Sequence, residues 1–161
     1  MNEAGQMARQ STAFKIGWVL MFVASLAAIG LGIVIAIPTL DPGAEPFMQA
    51  SLQNVRMQNP KVADWVWHEN KESIIGFILL GVASASMTWN AVRRGERWAW
   101  ATVLLIAVGY GILYMVIHIS IAYLTYIPAA ITLTVLIIIG GAMTAKTVFR
   151  REQEKQLPKP S

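Results

Sequence analysis

Apolar and polar positions alternate in long blocks along this chain. Four apolar runs, 14–37, 74–92, 98–118 and 128–148, are separated by a long polar segment, a short charged island and a brief aromatic turn. The first run has about 24 residues; at ~1.5 Å per residue it reaches roughly 36 Å, enough to cross a hydrocarbon core of ~30 Å with some tilt. The other three are long enough to span as well. The first run is too long for the apolar region of a signal peptide, and no small-x-small cleavage site follows it, so the pattern predicts a retained span. The expected fold is all-α: a polytopic membrane protein whose four transmembrane helices form an up-down bundle.

The punctuation refines these elements. Residues 1–13 read as a polar tail, and Pro38 is expected to end the first helix. The segment 38–72 holds two proline-led helix starts. Asp41-Pro42-Gly43 makes a turn, after which Pro46 can open a short amphipathic helix with Met48, Leu52 and Val55 on one face. Asn59 is a good N-cap for a helix that starts at Pro60 and continues through Trp65 and His68 into the second span. Together they predict a helical cap between the first two spans, with Trp65 and Trp67 at the interface. Small residues recur at Ala24, Ala28, Gly32 and Ala36, and again at Gly141 and Ala145, as helices need for close approach. Ser84 and Thr88, one turn apart, are expected to bond back to helix carbonyls or across to a neighbour.

Between the second and third runs lies Arg93-Arg94-Gly95-Glu96-Arg97-Trp98-Ala99-Trp100. Hydrocarbon does not accept three guanidinium groups, glycine is free to turn, and tryptophan suits the headgroup layer, so this stretch predicts a tight hairpin at the membrane surface. Arg93, Arg94, Arg97, Trp98 and Trp100 are read as its anchors. Tyr123 and Tyr126 mark the turn before Pro128, which can open the fourth helix. A basic tail, 149–161, follows.

Charge fixes the expected orientation. With four spans, Arg9 and Lys15, the three island arginines, and Lys146, Arg150, Arg151, Lys155 and Lys159 all fall on one side, leaving Arg56, Lys61 and Lys71 on the other. The positive-inside rule then puts both termini in the cytoplasm and 38–72 outside it, in a multi-pass protein of the bacterial inner membrane. The 161 residues are 55% hydrophobic, and the formal net charge of +4 does not indicate nucleic acid, because the basic residues flank apolar runs instead of forming an aromatic-interleaved patch. Cysteine is absent, which excludes disulfides, thiolate nucleophiles and cysteine-ligated zinc or iron–sulfur centres.

The runs contain no Asp, Glu or Arg, and Lys146 lies near an end, so the ionisable groups that pumps and proton-coupled exporters place at membrane depth are missing. The remaining candidate site is on the outer side. Tyr110, Tyr114 and His118 share one helix stripe, and His68, with Asp64 four residues before it, lies at the same level. These residues read either as plain interfacial histidines with hydrogen-bonded tyrosines or as candidates for binding a lipophilic, quinone-like or lipid-like ligand, with a metal or haem as a further alternative; no cofactor or metal is required by any motif, and no catalytic residue is indicated.

The run Arg93 to Trp100, joining two apolar helices and preceded by Asn59-Pro60 and His68, resembles the central hairpin of small bacterial four-helix membrane proteins, of which DoxX-like proteins are the best-known group. The likeness covers 59–118. Some DoxX-like proteins are associated with quinone-linked oxidation of sulfur compounds, but no functional residue of theirs maps onto a position here, so the resemblance implies architecture alone. The function expected is that of a non-enzymatic membrane protein, a homo-oligomer or an accessory subunit of a membrane complex, surrounded by membrane lipids. A ligand-binding or redox-linked protein is the alternative and a transporter or channel the third reading.

Overall fold

The computed structural model describes residues 11–40, 52–120 and 127–156, all but a few of them helical and none of them in a strand. The Asp41–Gly43 turn, Pro46, Met48, Tyr123, Tyr126 and most of the N-terminal tail lie outside the described residues. The helices are α1 (Thr12–Leu40), α2 (Leu52–Gln58), α3 (Pro60–Asn90), α4 (Arg97–Ser120) and α5 (Ile127–Gln156). Four of them are long and apolar enough to cross a membrane, over Thr12–Ala36, Ile74–Arg94, Arg97–Ile117 and Ile127–Arg151. The protein is thus an all-α membrane protein with four spans.

The caps follow the sequence. Ser11 Oγ accepts from Phe14 N–H at 3.2 Å to open α1, and Asn59 Oδ1 accepts from Val62 N–H at 3.3 Å to open α3 at Pro60. Two expected boundaries are corrected. α1 continues through Pro38 to Leu40. Proline removes one backbone donor and crowds the preceding turn, but at the last turn of a helix little remains to be disrupted. α5 runs past Val148 to Gln156, so the start of the expected basic tail is helical. Val148 is fully buried and Phe149 meets the Trp100 ring edge-on, with centroids 5.5 Å apart. These contacts carry the helix outward into a run of good helix formers.

By its internal packing the chain divides into two units, residues 1–26 with 83–161, and residues 27–82. In the second unit Gly32 does what the small-residue spacing predicts: a Cβ there would stand 2.9 Å from Ile78 Cγ1 and 3.1 Å from Phe77 Cβ.

The first unit has a core of Met21, Ala24, Ala91, Val92, Ala99, Val103 and Ile137. A close backbone-to-backbone crossing joins α1 to α5. A Cβ on Gly17 would lie 2.7 Å from the Gly140 carbonyl oxygen, and one on Gly140 would lie 2.5 Å from the Gly17 carbonyl oxygen. Each backbone therefore occupies the space a side chain on the other would need. Gly141, one residue on, faces Leu104 of α4.

Several hydroxyls of the spans bond back to their own helices, Ser25 to the Met21 carbonyl at 2.8 Å, Thr102 to that of Trp98 at 2.8 Å and Thr132 to that of Pro128 at 2.8 Å. Thr88 departs from the expectation, since among the described residues its buried Oγ1 has no hydrogen-bond partner, nor has Trp18 Nε1. A hydroxyl left unpaired contributes nothing to set against its desolvation. Thr88→Val should therefore be neutral or raise stability by about 1 kcal/mol, read as the midpoint of thermal unfolding in detergent. A clear loss of stability would mean that the hydroxyl has a partner in the membrane.

Candidate functional site

The charged island folds as a tight joint between α3 and α4. Val92–Arg94 form a 3-10 turn, and Gly95 takes the left-handed conformation with φ 81°. Gly95 N–H donates to the Val92 carbonyl at 2.8 Å and Glu96 N–H to the Ala91 carbonyl at 3.1 Å, the paired bonds of a glycine-terminated helix end. The Glu96 carbonyl in turn accepts from Trp100 N–H at 3.2 Å, so α4 begins as soon as the turn closes.

Aromatic rings hold two of the island's three arginines. The Arg93 guanidinium carbon lies 4.4 Å from the Trp89 ring centre and that of Arg97 4.9 Å from the ring centre of Phe149 on α5. Arg151 closes the arrangement. Its Nη1 donates to the Arg94 carbonyl at 2.6 Å, and its guanidinium carbon is 5.6 Å from the Phe14 ring centre. The start of α1, the island and the end of α5 therefore meet at one end of the first unit. These are three of the segments that the charge count placed together.

The two island tryptophans diverge. Trp98 is 60% exposed, as a headgroup anchor should be. Trp100 is half-buried and points across to α5, where its Nε1 donates to the Gly141 carbonyl at 3.0 Å and to Thr144 Oγ1 at 3.0 Å. Thr144, fully buried, lies within hydrogen-bond distance of the Gly140 and Gly141 carbonyls as well. Trp100 is a strut between helices. Its partners sit more than forty residues away in sequence, and a tryptophan beside an arginine cluster gives no hint of them.

Of the expected outer-side residues, Tyr110 and Tyr114 are brought together. Their rings stack with centroids 6.2 Å apart at 28°, and Tyr114 is 7% exposed. His118 continues the same helix, but its side chain is outside those described. In the second unit, His68 is exposed and its Nε2 lies 3.0 Å from Glu72 Oε1 one turn on. Asp64, which shares a helix face with His68, accepts instead from Arg56 Nη2 of α2 at 3.0 Å. That pair ties the short helix to α3. No group of three or more His, Asp or Glu that could hold a metal ion occurs among the described residues.

Comparison with protein-family models, with curated proteins and with solved structures found no significant match.

Proposed function

We propose that the chain is a non-enzymatic, multi-pass protein of a bacterial inner membrane, with both termini on the cytoplasmic side, acting as a homo-oligomer or as an accessory subunit of a larger membrane complex. The observation that carries this reading is the chemistry of the buried side chains. The buried polar residues among those described are Ser25, Ser84, Thr88 and Thr144, hydroxyls without a carboxylate, amine or imidazole beside them in that set. Proton relays and nucleophile–base pairs need such groups. Association has open positions to use. Among the described residues, no atom beyond its own stretch of helix lies within 4 Å of where a Cβ on Gly30 of α1 or Gly109 of α4 would be, so another helix can approach their backbones.

Crosslinking in native membranes, followed by native mass spectrometry in mild detergent, tests the proposal. A defined homo-oligomer or a stoichiometric partner is expected. Gly30→Leu or Gly109→Leu should abolish the association while leaving unfolding of the protein unchanged. A protein that is only monomeric, with nothing copurifying, would refute the reading.

The stacked Tyr110–Tyr114 pair favours a second reading, a protein that holds a flat, lipophilic, quinone-like molecule against the rings. Under it, Tyr114→Ala weakens the thermal shift produced by added quinone; absence of any shift in the unaltered protein removes this reading.

A further inference from the structure

The seam between α4 and α5 at the island end is lined by exposed residues. Its register is fixed by Arg97 over Phe149 and by the Trp100 indole on Gly141 and Thr144. Along α4, Arg97, Ala101 and Leu105 follow at four-residue spacing and all are exposed. Along α5, Ala142, Lys146 and Phe149 do the same at spacings of four and three. These are the intervals that align residues on one helix face. The two alanines leave the seam shallow, and the 73% exposed Leu105 continues it toward the middle of the span.

Two cations stand at the head of this seam. Lys146 is one turn deeper than Phe149, on the same face of α5. Neither Arg97 nor Lys146 has a carboxylate within salt-bridge distance among the described residues. Arg97 is held by a ring face, and a guanidinium over a ring still has N–H donors to offer to oxygen acceptors. A charged group at this depth gains from a counter-charge at the headgroup level, and a phosphate accepts from both arginine and lysine.

We infer that this seam binds one anionic phospholipid, its headgroup phosphate between Arg97 and Lys146 and an acyl chain along Ala101, Leu105 and Ala142. A free phosphate would share the charge chemistry but would leave the apolar part of the seam unused. The inference stands whether the protein works alone or in an assembly.

The test is retention of lipid by the full-length protein, purified with phosphatidylglycerol or phosphatidylcholine in defined mixed micelles and measured by native mass spectrometry. Phosphatidylglycerol should be retained in preference to phosphatidylcholine, and its retention should fall about fivefold for each cation removed in Arg97→Gln and Lys146→Gln. Arg97→Lys with Lys146→Arg should keep most of it. Ala142→Trp fills the seam and leaves both charges in place, so it too should lower retention, which decides the matter if the glutamine variants fail to fold. Lys61→Gln, on α3, should have no effect. Equal retention of the two lipids, indifference to both the glutamine and the Ala142→Trp substitutions, or displacement by millimolar inorganic phosphate would overturn the inference, the last by making the site one for free anions.

Discussion

Replacing Gly140 with leucine is expected to unfold the first unit, at a cost of about 3 kcal/mol or more. The Gly17–Gly140 crossing is reciprocal: the atom that a Cβ on either glycine would strike is the carbonyl oxygen of the other, at 2.7 Å and 2.5 Å. A flexible side chain could swing away from such a collision, whereas a helical carbonyl moves only with its helix. α1 and α5 would have to separate, and Met21, whose side chain also lies at this crossing, would lose packing in the core. Gly17→Leu should behave in the same way. Gly30→Leu, at an open position, serves as the control for helix propensity and added bulk. Thermal or SDS-driven unfolding in detergent reads the difference; equal stabilities for Gly140→Leu and Gly30→Leu would show that the crossing is looser than described.

Gly95→Val should have the next largest effect, by two routes. The φ of 81° belongs to the left-handed region, where a β-branched residue is strained by about 1–2 kcal/mol. In addition, a Cβ would meet Arg151 Cδ at 2.6 Å and Nη1 at 3.1 Å, displacing the side chain that donates to the Arg94 carbonyl. Comparison with Gly95→Asn separates the routes, since asparagine tolerates the conformation but still crowds Arg151. Valine should destabilise the fold clearly more than asparagine. If the two are equal, the collision with Arg151 dominates and the backbone conformation matters little.

These predictions fall on residues that differ in how readable they were. The role of Gly95 could be read from its neighbours: a glycine between charged residues, set between two apolar runs too long to join into one span, has to turn. Asn59-Pro60 likewise announces the start of α3, because the cap and the first helical residue are adjacent in sequence. Gly17 and Gly140 gave no such sign. Each is one small residue in an apolar run, and only the position of a helix more than a hundred residues away makes it indispensable. The candidate site shows the same limit. The four-residue spacing of Tyr110 and Tyr114 reads as one stripe, and the rings do stack. The spacing of Asp64 and His68 is identical, yet Asp64 bonds to Arg56 and His68 to Glu72. Helical periodicity says which residues can meet, and the competing partners decide which do.

The number of spans, the helix starts and the gathering of charge at helix ends follow from the amino-acid sequence alone, because transfer into hydrocarbon and backbone capping are sums over neighbouring residues. Tertiary structure alone decided that Trp100 braces α5 while Trp98 stays exposed, that Arg151 closes over Gly95, that two glycine backbones touch, and that an exposed seam runs below Arg97 and Lys146. Each of these depends on the rotation and depth of one helix against another, and those are set by steric fit between residues far apart in the chain.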